Sequence, residues 1–120
     1  MVADRDNRRV QIFSDSDYSY MGAIPTGALA LDIVVSDNRV FVSDVGPPRL
    51  RQFDLDGNPV YTWTAPDESS PHWIREMHSI GVDSEGNLYA ADNQNGRIQK
   101  LIPKPNADPN LLVGQPYVPR

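Results

Sequence analysis

The 120-residue chain contains no cysteine, which excludes disulfides and thiolate metal sites and leaves the redox compartment open. Histidine is scarce, present only as His72 and His78. Basic residues are outnumbered by acidic ones, 11 to 16, for a net charge of −5 and a pI near 4.8. A nucleic-acid-binding face needs clustered Lys and Arg, so no nucleic-acid partner is expected. No apolar run approaches the roughly 20 residues that span a membrane, so no membrane partner is expected either. Met1 leads straight into Val2-Ala3-Asp4-Arg5-Asp6, without the charged start and apolar core of an export signal. What the chain has in quantity is turn formers. Eleven prolines and eight glycines, spread along its length, suit many short strands better than helices.

One phrase recurs three times. Val2-Ala3-Asp4 leads to Arg9-Val10-Gln11-Ile12-Phe13, Val42-Ser43-Asp44 to Arg49-Leu50-Arg51-Gln52-Phe53, and Ala90-Ala91-Asp92 to Arg97-Ile98-Gln99-Lys100-Leu101. In every copy the arginine lies five residues after the aspartate, with an apolar residue at six and a large apolar residue at nine. The aspartates are offset by 40 and then 48 residues, the period of a propeller blade rather than of a helical solenoid. One such unit cannot bury both of its faces and has to stack on others.

The repeat places the strands. In the third unit Ser79–Val82, Asn87–Ala91, Arg97–Ile102 and a weak Leu111–Val113 read as strands. Asp83-Ser84-Glu85-Gly86 turns between the first two, and Asn95-Gly96 offers positive φ for a tight hairpin. The middle unit repeats the scheme with Asp32–Val35, Arg39–Ser43, Arg49–Leu55 and Pro59–Trp63. The first unit holds a stub at Val2-Ala3, then Arg9–Phe13 and a strand near Tyr18–Ile24, with no innermost strand. The chain therefore divides into a partial blade at 1–27, a blade at 28–66, and a blade at 74–115 with a tail to 120. Val40-Phe41-Val42 and Leu88-Tyr89-Ala90 are apolar on both sides, as in sheets covered on both faces. The recurrent Asp4, Asp44, Asp92, Arg9, Arg49 and Arg97 are expected to brace hairpins, since three copies of one pair do not make a single active site.

The segment from His78-Ser79-Ile80-Gly81-Val82-Asp83 through Asn87-Leu88-Tyr89-Ala90-Ala91-Asp92 to Gly96-Arg97-Ile98-Gln99-Lys100 resembles an NHL repeat, the unit of six-bladed β-propellers. The resemblance implies an all-β fold of four-stranded antiparallel blades, two complete and part of a third, an incomplete six-bladed propeller. Within that group the chain is most similar to the C-terminal part of the peptidyl-α-hydroxyglycine α-amidating lyase type. Those lyases hold zinc on the propeller axis with one histidine from every second blade. Met77-His78 stands at such a position, where the neighbouring unit has Leu31, so the resemblance implies His78 as a metal ligand. It likewise implies a catalytic role for Arg5, which follows Ala3-Asp4 where the other units have Val45 and Asn93. Ser79 replaces the acidic residue that helps hold a structural calcium, so calcium is not expected. The catalytic tyrosine belongs to a blade this chain lacks. The segment Pro103–Gly114 resembles the C-terminal tail of bacterial propellers of this kind.

For His78 a second reading stands beside the metal ligand, an imidazole packed at the inner end of a blade. His72, in a connection between blades, reads as a solvent-facing loop residue, and Trp63 and Trp73 as packing anchors. Three function classes follow: a segment of a zinc lyase-like propeller, inactive by itself, a non-catalytic NHL-type propeller that binds protein or peptide, and, weakest, a calcium-dependent lactonase-type propeller. The apolar faces of the terminal blades imply self-association, with two or three copies per ring, and leave room for a peptide or small-molecule ligand.

Overall fold

The computed structural model describes residues 1–102 and 106. It is all-β, with ten strands in three antiparallel sheets. The first sheet holds β1 (Val2–Asp4), β2 (Arg9–Phe13) and β3 (Tyr20–Pro25) in that order. The middle sheet holds β4 (Ala30–Ser36), β5 (Arg39–Asp44), β6 (Arg49–Asp54) and β7 (Pro59–Thr64). In the third, β8 (Met77–Val82), β9 (Leu88–Asp92) and β10 (Arg97–Leu101) run in order. These are blade-like meanders, each strand paired with the next in the chain. The expected strand at Leu111–Val113 and the tail lie outside the described residues.

Turn chemistry fixes the registers. Asp37 and Asn38 both take positive φ, 47° and 60°, and close β4 onto β5 in the two-residue hairpin that matches strand twist. Asp54-Leu55-Asp56-Gly57-Asn58 and Asp83-Ser84-Glu85-Gly86-Asn87 build one turn twice, the first between β6 and β7, the second between β8 and β9. In each, the glycine N–H donates to the aspartate carbonyl, and the asparagine N–H donates to the aspartate carboxylate at 2.8 and 2.9 Å. The glycines, at φ 85° and 80°, supply the left-handed residue that the turn requires. Asn95-Gly96 departs from the two-residue hairpin expected for it. Asn93–Asn95 form a 3₁₀ turn and Gly96 alone, at φ 63°, is left-handed. The Asp92–Arg97 register leaves four residues to close, too many for a two-residue turn.

Packing places β5 at the centre of the molecule. Val40 and Val42 face the first sheet and join Val10, Ile24, Ala30 and Phe53 in one core cluster. Phe41, 1% exposed, points the other way and packs with Ile74 of the entering linker and with Met77, Ile80, Leu88 and Ala90 of the third sheet. The apolar run Val40–Val42 thus reads as expected, a strand covered on both faces. Leu88-Tyr89-Ala90 does not: Leu88 and Ala90 are buried, whereas Tyr89 is half-buried, because among the described residues no further sheet packs on that side. The edge strands β4 and β8 lie side by side, and β1 lies beside β4.

Two predictions follow from this arrangement. Phe41→Ala should cost about 3–5 kcal/mol, the range for a large buried aromatic. Arg49→Ala should cost less, because Arg51 remains 3.3 Å from the same carboxylate. Chemical denaturation that ranked Arg49→Ala as the more damaging change would contradict the packing of β5. The second concerns acid. Hydrogen bonds from the Asn87 side chain, together with the Asn87 and Glu85 N–H groups and the Tyr89 hydroxyl, outweigh desolvation and hold the Asp83 carboxyl at about 2, against an ordinary 3.8. A lowered folded-state value gives stability that is present above about pH 4 and lost as pH falls towards 2. Urea midpoints should decline across that window in the wild type and less steeply in Asp83→Asn. Equal slopes would show that the turn contributes nothing.

Candidate functional site

The recurrent pair forms in all three sheets. Arg9 Nε donates to Asp4 Oδ2 at 2.7 Å, Arg49 Nε to Asp44 Oδ1 at 2.8 Å, and Arg97 Nε to Asp92 Oδ2 at 3.1 Å. In each case aspartate and arginine are directly opposed across the hairpin ladder, which is why the spacing of five recurs. Asp44 and Asp92 are fully buried. Burial of Asp92 works against ionisation, yet its pKa is lowered, because Asn95, the Arg75 and Glu76 N–H groups and Arg97 all donate to the carboxylate.

The brace reaches beyond the hairpin. The backbone donors to Asp92 come from Arg75 and Glu76, in the linker that enters the third sheet, rather than from the turn of its own hairpin. Arg97 and Gln99 both donate to the Trp73 carbonyl in the same linker. Arg51 likewise donates to the Thr26 carbonyl, in the linker entering the middle sheet. Arg51 and Gln99 each stand seven residues after the aspartate, and Thr26 and Trp73 each stand six before the register-equivalent Asp32 and Ser79. Gln11 holds the same place seven after Asp4. That second spacing is the sequence signal for these linker contacts.

His78 and Arg5 lie at the same end of their sheets. A register shift between Met77 and Ser79 opposite Asp92 makes His78 a bulge residue, and the same shift between Ala30 and Asp32 makes Leu31 its counterpart. A bulge releases one residue from the ladder and re-aims its side chain. Met77 is fully buried, whereas His78 is exposed. An anchored neighbour therefore presents a free imidazole. Arg5 is the first residue of the β1–β2 turn, where its carbonyl accepts the Arg8 N–H at 3.0 Å, and its side chain is exposed. Asn93 makes the same bond with Gly96 at 3.1 Å, so Arg5 and Asn93 are equivalent in geometry as well as in sequence.

Next to His78 the sheets are cross-linked. Asp32 Oδ2 accepts the Ser79 hydroxyl at 2.6 Å and the Ile80 N–H at 2.9 Å, while its Oδ1 accepts the Ile33 N–H. Ser79, where the resemblance expected an acidic residue, instead receives the carboxylate of the preceding sheet. His72 is exposed, as expected of a loop residue, and Trp63 packs on the core between the middle and third sheets. A shallow groove lined by Pro25, Arg51, Phe53, Gly57 and Tyr61 includes neither His78 nor Arg5. Among the described residues no group of three His, Asp or Glu side chains could hold a metal ion.

No protein-family model and no curated protein sequence matches the chain. The geometry predicts a specific coupling. Asp32→Ala and Ser79→Ala should each lower stability by about 1–2 kcal/mol, the scale of a hydrogen bond to a charged group. The double variant should lose clearly less than the two losses added together, because both remove one contact. Additive losses in a urea-denaturation cycle would show that the two side chains act independently.

Proposed function

We propose that the chain is a segment of an NHL-type propeller of the peptidyl-α-hydroxyglycine α-amidating lyase kind, which contributes His78 and Arg5 to a site that it does not complete and is inactive by itself. The observation that carries this reading is the bulge at His78, an exposed imidazole beside a fully buried Met77 where the adjacent sheet carries an apolar Leu31. Arg5 supports it. Its guanidinium is exposed at the same end of the sheets, and a guanidinium binds a carboxylate, such as the one that ends a peptidyl-α-hydroxyglycine, through paired hydrogen bonds.

The donors of one chain do not fit a zinc ion. A catalytic zinc takes three protein ligands and keeps one position open, and His78 supplies one. Further imidazoles have to come from other blades or other copies, which is why the isolated chain is read as inactive. The shortage of donors favours a second reading, a non-catalytic NHL-type module in which the rim around Arg5 and His78 binds protein or peptide.

Zinc loading separates the two. After loading and desalting, elemental analysis should find zinc in the wild type and almost none in His78→Ala, with no glyoxylate released from an α-hydroxyglycine peptide by monomeric chain. Equally little zinc in both proteins would discard the lyase-like reading and leave the interaction module.

A further inference from the structure

The two interfaces between sheets use one rule. On the side facing forward along the chain, the middle sheet offers Val34, Phe41, Leu50 and Trp63, and these pack on the third sheet. The first sheet offers Ala3, Val10, Ile12 and Ile24 in the same way, and these pack on the middle sheet. On the receiving side stand Ile33, Val40, Val42 and Phe53 of the middle sheet and Ile80, Leu88, Ala90 and Leu101 of the third. The registers match position by position: Tyr89 takes the place of Phe41, Ile98 that of Leu50, and Gly81 that of Val34.

Two surfaces continue the rule without a partner among the described residues. The forward face of the third sheet carries Gly81, Tyr89, Ala91 and Ile98, with Ile98 72% exposed and the Lys100 ammonium 5.4 Å from the centre of the Tyr89 ring. A Cβ placed on Gly81, on the edge strand β8, would meet nothing within 4 Å, so the space above it is open. The receiving face of the first sheet carries Val2, Phe13, Tyr20 and Ala23, with Val2 51% and Tyr20 58% exposed. Phe13 and Tyr20 stack edge to face, ring centroids 5.8 Å apart, into a raised aromatic pair. One face is aliphatic with open space beside Gly81, the other carries an aromatic pair.

We infer that a second copy of this chain docks head to tail, the forward face of the third sheet of one copy receiving the first sheet of the next. The contact continues the interface already formed twice within each chain, and it is heterologous, joining two different surfaces as a ring requires. Two copies bring together six of the described sheets and two His78 residues, three copies nine sheets and three. This inference rests on packing and not on the metal reading, so zinc analysis can fail while assembly holds.

Light scattering after size exclusion tests it with two variants at exposed positions, Ile98→Glu on the forward face and Val2→Glu on the receiving face. The wild type should elute as two or three copies of the 13.4 kDa chain, and each variant alone as a monomer. Mixed one to one, the variants should form a dimer, since each retains the face that the other has lost. A wild type that stays monomeric at high concentration overturns the inference regardless of how the variants fold. So does an assembly that only one of the two substitutions dissociates, or a mixture in which no dimer appears.

Discussion

The aspartate at the mouth of the recurrent hairpin, at the end of β1, β5 and β9, sets the terms for everything around it. In the middle and third sheets it has no exposure to solvent, and a carboxylate in that position is tolerated only with its charge compensated and its oxygens hydrogen-bonded. The arginine directly across the ladder meets the first requirement. Donors from the entering linker and the turn meet the second around Asp92, and at Asp44 Arg51 brings a second guanidinium to 3.3 Å. The guanidinium of Arg97 has donors to spare and spends one on the linker carbonyl at Trp73, which ties the start of the sheet to its central hairpin. Without Arg97 the buried Asp92 would lose the cation paired with it, and direct opposition across the ladder keeps the spacing from aspartate to arginine at five in every copy. The four residues between them vary freely: Arg-Asp-Asn-Arg, Val-Gly-Pro-Pro and Asn-Gln-Asn-Gly.

That division between fixed frame and free turn explains where chemistry can be placed. Arg5 opens one of the variable turns, and His78 sits in a bulge that the ladder passes over. Neither side chain is needed to hold its sheet together, and the equivalents Val45, Asn93 and Leu31 show that the frame accepts quite different residues at both positions. Cohesion between sheets is handled elsewhere, by two apolar clusters on opposite faces of the middle sheet and by the Asp32–Ser79 bond at the edge where β4 meets β8.

What the sequence made legible follows the same division. The aspartate–arginine spacing, the order of strands and the double-sided burial of Val40–Val42 were readable because each depends on residues within one hairpin or on alternation along one strand. The bulges were not readable. The inner strands therefore begin earlier than their apolar patterns suggest, at Ala30 rather than Asp32 and at Met77 rather than Ser79. The Asp32–Ser79 bond was invisible for another reason: its partners are 47 residues apart and chemically different, so no repeat announces them. Tyr89 misled, because an apolar strand looks the same whether or not a neighbour covers its second face.

The bulge at His78 also bears on how a site could arise here. In a regular strand, the residue after Met77 would point to the face of the third sheet opposite the core that buries Met77. The shifted register keeps Met77 opposite Asp92 and Ser79 opposite Ala91, both paired, with His78 left outside the count. Met77 stays fully buried and Ser79 reaches Asp32, so the backbone on both sides of His78 is pinned. The backbone that carries the imidazole is thereby held in place while the side chain stays exposed. Convergence of several such imidazoles then depends on how many sheets are arranged around the edge formed by β4 and β8, rather than on any adjustment within a sheet. In the proposed reading the site belongs to the assembly, and the single chain carries one part of it.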